Sequence, residues 1–341
     1  MKAAILRAPG VIGVDEVPDA AVRLPTDAVV RVVAAAICGT DLRGFAGMPG
    51  PVQGPRCGHE FVGVVEEIGA DVRSLVPGDF VVSPFQFSDG TCVACVRGAF
   101  NSCRSGGMFG VDGDGGQAEA VRVPFADSTL VPVPLSPGDE RVPALLALAD
   151  VMPTGAHAVR SANLPANATV AVIGDGAVGL CAVLAASRAG AERVFLFGRH
   201  PSRLRTGVAF GATDLITARG TEGEAELLEA TLGAGADLVV DAVGEQSALD
   251  TAMAVCADQG VLTLAGGPHG GLDLFSCFLR GITVGGGLTP VRAYLSALVD
   301  DVLAGTLDPS PVFDQTVPLD DIAAGYEAMR DRRATKTLVR V

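Results

Sequence analysis

Basic side chains are scarce in this 341-residue chain: 25 Lys and Arg face 39 Asp and Glu, a formal net charge of −14 with histidine neutral. A nucleic-acid-binding domain usually carries a basic stripe that neutralises phosphates, so nucleic acid is excluded as a partner. The same deficit sets the chain against an anionic membrane surface. Also missing is any uninterrupted run of about 18 apolar residues, the length that a membrane-spanning helix needs. The nearest approach, TVAVIGDGAVGLCAVLAASRAG, is broken by Asp175. The apolar stretch after Lys2 is four residues long before Arg7 and Pro9 interrupt it, too short for a secretory leader. These absences lead to the expectation of a cytoplasmic protein whose thiols stay reduced. Its eight cysteines are then ligands or core residues. There is no internal repeat and no low-complexity segment.

What is present can fold. Hydrophobic residues make up 49% of the chain and charged residues 19%, enough apolar material for a large core. The length exceeds one ordinary domain, and 44 glycines and 21 prolines imply many short connections. Residues 1 to about 147 read as short strands split by Gly and Pro: AVVRVVAAAI, EFVGVVEEIG, DFVVSPF and QAEAVRVP. From ATVAVIG onward, strand-like runs (RVFLFG, DLVVDAV, GVLTLAG) alternate with helical stretches (AVGLCAVLAASRAG, PSRLRTGVAFG, SALDTAMAVCA). That alternation predicts βαβ units around a parallel sheet. PVRAYLSALVDDVLAG then reads as a helix and TKTLVRV as a last strand.

VAVIGDGAVGL places Gly174, Gly176 and Gly179 directly after a strand, opening an Ala-rich helix. This G-x-G-x-x-G placement suits a pyrophosphate held at a helix N-terminus. The alternatives are a glycine-rich turn without ligand, or a methyltransferase-type nucleoside site. The next strand, RVFLFGRH, ends in Gly198 followed by Arg199 and His200, where an NAD site would carry an acidic residue for the ribose 2′-hydroxyl. Loss of the carboxylate and gain of a cation point to the 2′-phosphate of NADP, with Arg199 and Arg203 as its partners. The plainer reading makes both arginines solvated surface residues.

FSDGTCVACVRGAFNSC carries Cys92, Cys95 and Cys103. Three thiolates are one short of a tetrahedral structural zinc. Read alone, the stretch is a zinc site lacking a ligand, a redox C-x-x-C, or a knot closed by another residue. Three further segments offer single metal ligands: Cys38 in ICGTDLRG, His59 and Glu60 in CGHEFVG, and Asp150 in ALADVMPTGAHA.

Taken together and in this order, these motifs resemble the zinc-dependent medium-chain alcohol dehydrogenase family over essentially the whole chain. The resemblance implies an α/β protein: a GroES-like β-rich catalytic domain over 1–151, with a structural-zinc lobe at about 86–106, and a Rossmann doubly wound parallel-sheet domain over 152–287. Residues 288–341 return to the catalytic domain, and the active site is expected in the cleft between the two. It implies two zinc ions per chain. Cys38, His59 and Asp150 are expected to hold the catalytic one, with Asp150 where many members have cysteine. Glu60 matches a glutamate beside the metal, and Asp41 the carboxylate that fixes the tautomer of the zinc histidine. Phe85 falls at a substrate-pocket aromatic, Thr154 and Val178 at positions that hold the nicotinamide, and Lys336 at a basic position near the pyrophosphate.

The chemistry follows from that assignment. Three protein ligands leave a zinc position open for substrate oxygen, and hydride passes between the alcohol carbon and the nicotinamide. Thr40 matches the hydroxyl that relays the alcohol proton. Arg43 stands where many relatives have a histidine further along that relay, and arginine cannot accept a proton. In the lobe, the family's four-cysteine spacing puts Asp89 in the first ligand slot, ahead of Cys92, Cys95 and Cys103. A metal-free lobe, and a site completed by water, are the alternatives. Cys57, Cys181, Cys256 and Cys277 are expected as packing residues. The loops 43–55 and 104–116 are expected to line the substrate pocket, and Arg43 and Arg56 to make salt bridges or bind a polar substrate. The functional expectation is a zinc-dependent, NADP-linked alcohol dehydrogenase acting on an alcohol, aldehyde or ketone, and a homodimer or homotetramer. An NAD-linked polyol or aminocyclitol dehydrogenase, and a non-catalytic nucleotide-binding relative, are the competing readings.

Overall fold

The computed structural model describes residues 1–48, 56–165, 167–267 and 270–341. The chain forms two compact units, Met1–Asp150 with Pro290–Val341, and Val151–Thr289. The divisions fall after Asp150 and Thr289, where the sequence expectation set 151 and 287.

The first unit is built on a seven-stranded sheet ordered Gln315–Pro318, Thr337–Arg340, Ala28–Ile37, Glu60–Ile68, Phe80–Ser83, Val131–Val133, with Ala120–Val123 also pairing Ala28–Ile37. All its pairings are antiparallel except the one between Gln315–Pro318 and Thr337–Arg340. Those two parallel strands are joined through the Ile322–Arg330 helix, as a parallel pair requires a crossover. In AVVRVVAAAI only Arg31 is exposed, so this central strand is covered on both faces. Phe61, Phe109, Leu130 and Tyr326 fill the core beside it.

The second unit is a six-stranded, all-parallel sheet. Its order is Asp214–Ile216, Arg193–Phe197, Thr169–Ile173, Ala236–Asp241, Cys256–Leu264, Thr283–Gly286. Numbered along the chain this is 3-2-1-4-5-6, the doubly wound order of dinucleotide-binding folds. Val170, Ala171 and Val172 are wholly buried, as expected when helices cover both faces. Each buried valine contributes roughly 1.5–3 kcal/mol of apolar transfer, so a polar replacement in this strand would be strongly destabilising.

The α/β class and both architectures agree with the sequence reading. One boundary does not: SALDTAMAVCA was expected to be helical throughout, but the Gln246–Val255 helix stops before Cys256, which already pairs with Ala236 in the next strand. The register shift there and the left-handed Gln259 absorb the extra residues as a bulge. No helix among the described residues is long and apolar enough to cross a membrane.

Candidate metal centres and cofactor site

Four potential ligands from three separated segments meet in the first unit: Cys38, His59, Glu60 and Asp150 are all buried, with ligand atoms within 4.8 Å of one another. Cys38 follows the Ala28–Ile37 strand and N-caps the short Gly39–Phe45 helix. His59 immediately precedes the Glu60–Ile68 strand. Asp150 Oδ2 lies 3.4 Å from Cys38 Sγ and 3.4 Å from His59 Nε2. A tetrahedral zinc would set sulfur and oxygen about 3.6 Å apart and nitrogen and oxygen about 3.4 Å apart. The donor set therefore fits the ion.

The electrostatics point the same way. Burial and the Asp150 carboxylate push the Cys38 thiol above its ordinary range. Burial alone would pull the His59 imidazole down, but Asp41, Cys38 and Asp150 outweigh it and hold it well above its usual value. Glu60 Oε2 is buried with no hydrogen-bond partner. A sulfur, an imidazole and two carboxylates crowded together, with one oxygen orphaned, call for a cation at their centre.

Asp41 organises two of these ligands at once. Its Oδ2 accepts the Cys38 amide at 3.0 Å, and its Oδ1 lies 3.4 Å from His59 Nδ1. The imidazole is thus set to present Nε2 to the cluster. Behind Asp41 lies a contact that sequence reasoning missed. Gln117 Nε2 donates to Asp41 Oδ2 at 3.3 Å and to Ala36 O at 3.0 Å, while its Oε1 accepts from Tyr326 Oη at 2.8 Å. Both Gln117 and Tyr326 are wholly buried, so an amide and a phenol brace the carboxylate from the far side.

Lys336, expected near the cofactor pyrophosphate, is 1% exposed, and its ammonium lies 2.7 Å from Glu60 Oε1 and 3.4 Å from Ile37 O. Burial would lower this lysine, but Glu60 raises it further, so it remains cationic. Phe85 is buried, with its ring edge-on to His59 at 6.1 Å between centroids. Thr40 is exposed, its Oγ1 3.7 Å from Cys38 Sγ. Arg43 is half-buried on the Gly39–Phe45 helix. Arg56 is buried, donating to Pro18 O at 2.7 Å and pairing with Asp114 at 3.3 Å, which makes it a structural clamp. Part of the expected pocket loop, residues 49–55, lies outside the described residues.

The second cluster is Asp89, Cys92, Cys95 and Cys103, again within 4.8 Å. Cys92 Sγ lies 3.6 Å from Cys95 Sγ and 3.9 Å from Cys103 Sγ. Those values bracket the roughly 3.8 Å between thiolates on one tetrahedral zinc. Asp89 Oδ1 accepts the Thr91 and Cys92 amides at 2.8 and 2.9 Å, and these bonds hold its carboxyl far below the usual range. All eight cysteines are free of disulfides, and Cys57, Cys181, Cys256 and Cys277 are buried.

In the second unit the glycine loop has the form that a pyrophosphate needs. Gly174 adopts φ +110, a side chain at Gly179 would strike Gly174 O, and a Cβ at Gly176 would meet nothing within 4 Å. The turn is therefore tight on its inner side and open above the N-terminus of the Ala177–Arg188 helix. Val178 is half-exposed in the first turn of that helix, and Thr154 is buried in the Val151–Arg160 helix. At the end of the Arg193–Phe197 strand the missing acidic side chain has a substitute that sequence reasoning overlooked. The Asp175 carboxylate occupies the space beside Gly198, accepting the Arg199 amide at 2.8 Å and the His200 amide at 2.9 Å. The signal was a charged residue at a motif position that tolerates any side chain.

A buried set of potential metal ligands on a β-rich unit, in a chain that also carries a dinucleotide-binding sheet, is the combination expected of a metal-assisted oxidoreductase. The family models agree: residues 24–135 match the alcohol dehydrogenase GroES-like domain and residues 177–303 the zinc-binding dehydrogenase domain. The chain is 32% identical to zinc-type alcohol dehydrogenase B of Aspergillus flavus, over 99% of its own length and 81% of that protein's. The alcohol dehydrogenase TADH from Thermus sp. ATN1 superposes with a TM-score of 0.92 at 33% identity, covering 100% of both chains. A zinc-binding dehydrogenase of Sinorhizobium meliloti 1021, solved bound to NADP, gives 0.83 at 27% identity over 100% of this chain and 99% of that one. The chain belongs to the medium-chain zinc alcohol dehydrogenase family, and it is an oxidoreductase of that NAD(P)-binding, zinc-binding class.

Proposed function

We propose that this protein interconverts an alcohol with its aldehyde or ketone, using NADP(H) and a catalytic zinc held by Cys38, His59 and Asp150. The observation that carries the reading is the buried four-ligand cluster, whose spacing suits a tetrahedral divalent ion. When bound, zinc supplies Lewis acidity that makes an alcohol hydroxyl more acidic or a carbonyl more electrophilic. The remaining work belongs to the chain. Thr40, exposed and beside Cys38, takes the hydroxyl proton and hands it to solvent. Arg43 cannot continue that relay, since a guanidinium has no acceptor site. Phe85 presents an apolar edge against His59 and keeps water from that side. Lys336 acts as counter-ion to Glu60, leaving the orphaned Oε2 available to the metal. The lobe residues Asp89, Cys92, Cys95 and Cys103 hold a second, structural zinc.

Arg199 and Arg203 are read as partners of the adenosine 2′-phosphate. In support, Arg199 is exposed and its guanidinium has no ion-pair partner among the described residues. The alternative, an NAD-linked polyol or aminocyclitol dehydrogenase, draws on the Asp175 carboxylate, which stands near the ribose position of an NAD site. A panel of alcohols and carbonyl compounds, followed by nicotinamide absorbance with NAD and NADP on native and chelated enzyme, separates the two. Unchanged NADP-over-NAD preference in Arg199→Ala removes the NADP assignment, and unchanged kcat at every pH in Thr40→Ala removes the relay.

The family reading extends to a homodimer or homotetramer. The Thr283–Gly286 strand is one edge of the sheet, and Leu274, Phe275, Phe278 and Leu279, in the helix that precedes it along the chain, are all exposed. A second copy paired along that edge would cover both liabilities. Sedimentation of Phe278→Asp should show a smaller species than the native protein.

A further inference from the structure

The Asp175 carboxylate reaches out of the glycine loop to the end of the neighbouring strand. A Cβ built on Gly198 would lie 2.6 Å from Asp175 Cβ and 2.8 Å from its Oδ2. No residue with a side chain fits at position 198 while Asp175 holds this place. The carboxylate is also held by several donors: Oδ2 accepts the amides of Arg199 and His200, and His200 Nδ1 lies 2.9 and 3.0 Å from its two oxygens. Arg203 Nη1 approaches Oδ1 at 3.7 Å.

The local consequences follow from those bonds. His200 N-caps the Pro201–Ala209 helix, yet makes no side-chain bond to that helix; its ring turns back to Asp175 instead. The Gly198–His200 turn is thus tied to the glycine loop at both amides and at the imidazole. A carboxylate whose Oδ2 already accepts two amides and whose charge faces a guanidinium is a weakened acceptor for a ribose hydroxyl. Its charge is answered by Arg203 and the ring donor, while Arg199 remains exposed beside it.

We infer that Asp175 is the positioning residue of a 2′-phosphate subsite, fixing the Arg199–His200 turn so that the Arg199 and Arg203 guanidinium groups present their charge to the adenosine ribose. The inference rests on the NADP reading above and gives it a mechanism. The turn is set before the cofactor arrives, so phosphate recognition does not require ordering it on binding.

The test uses the intact protein and two probes, adenosine 2′,5′-bisphosphate and AMP, titrated calorimetrically into the native protein, Asp175→Ala, Asp175→Asn and Arg199→Ala. The native protein should bind the bisphosphate more tightly than AMP. Asp175→Ala should lower that ratio about tenfold, the size of one lost charge-assisted interaction, and Asp175→Asn should restore part of it. A merely structural role would weaken both probes together and preserve the ratio, which overturns the proposal. A rise in the ratio on removing Asp175 also overturns it, because the carboxylate would then be reading a ribose hydroxyl. If Arg199→Ala loses the ratio and Asp175→Ala keeps it, only the positioning role fails. If the native protein shows no preference for the bisphosphate, the NADP reading fails and takes this one with it.

Discussion

Replacing Gln117 by leucine removes the amide that joins Tyr326 to Asp41 while nearly preserving volume. The loss is worked from three bonds. Tyr326 Oη, wholly buried, is left without its acceptor at 2.8 Å, and Asp41 loses a donor at 3.3 Å. The third, to Ala36 O, is the weakest loss because that residue also lies within a strand ladder. An orphaned buried hydroxyl costs about 1–3 kcal/mol and a bond to a charged group about 1.5–3 kcal/mol, so Gln117→Leu should destabilise by about 3–5 kcal/mol after partial overlap. Tyr326→Phe orphans only Gln117 Oε1 and should cost about 1–2 kcal/mol. The double variant leaves neither partner unmatched, so its cost should fall short of the sum by about 1 kcal/mol or more. Urea denaturation of the four proteins gives these values. Because Asp41 also holds His59, zinc retention against a chelator should weaken roughly 10- to 100-fold in Gln117→Leu. Additive costs together with native zinc retention would refute the idea that the three side chains act as one brace.

Other outcomes follow from the same reasoning. Lys336→Met strands the Glu60 carboxylate in a buried site and should cost about 3–5 kcal/mol by denaturation, with Lys336→Arg costing clearly less. Asp89→Cys replaces a hard oxygen by a thiolate and should slow chelator-driven zinc loss from the lobe, whereas Asp89→Ala should speed it. For Asp175, burial pushes the carboxyl up, but the His200 amide, the His200 ring and the Arg199 amide prevail and its folded pKa is lowered. Its contribution is therefore present above the unfolded carboxyl value and lost as pH falls through the folded one. The stability gap between native protein and Asp175→Asn should narrow below about pH 4 in an acid-denaturation series.

The parts of the molecule legible in the sequence are those whose signal is local or whose motif has a fixed order. The run AVVRVVAAAI matches the Ala28–Ile37 strand at both ends, because β-branched residues and a following cysteine–glycine leave little choice. The glycine loop was readable because each glycine answers a steric demand within a few residues. Cys38, His59 and Asp150 carried no individual signal; only their order along the chain brought them together. The short Leu274–Arg280 and Ile322–Arg330 helices escaped notice because their formation depends on what they pack against. Gln117 and Tyr326 are 209 residues apart, and nothing in either neighbourhood announces the contact. Asp175 shows a subtler limit: the absence of an acidic residue at position 198 was correct as sequence and incomplete as chemistry, since a carboxylate reaches the same place from the adjoining loop.

In the function proposed above, Cys38, His59 and Asp150 hold the zinc ion that alcohol oxidation with NADP requires. Its most direct test couples metal content to turnover in the native protein and Asp150→Ala. Two zinc ions per native chain, chelator-sensitive reduction of NADP that zinc restores, and in Asp150→Ala a single retained zinc with turnover lost are the expected results. Undiminished turnover in Asp150→Ala, or in native protein stripped of all zinc, would contradict it.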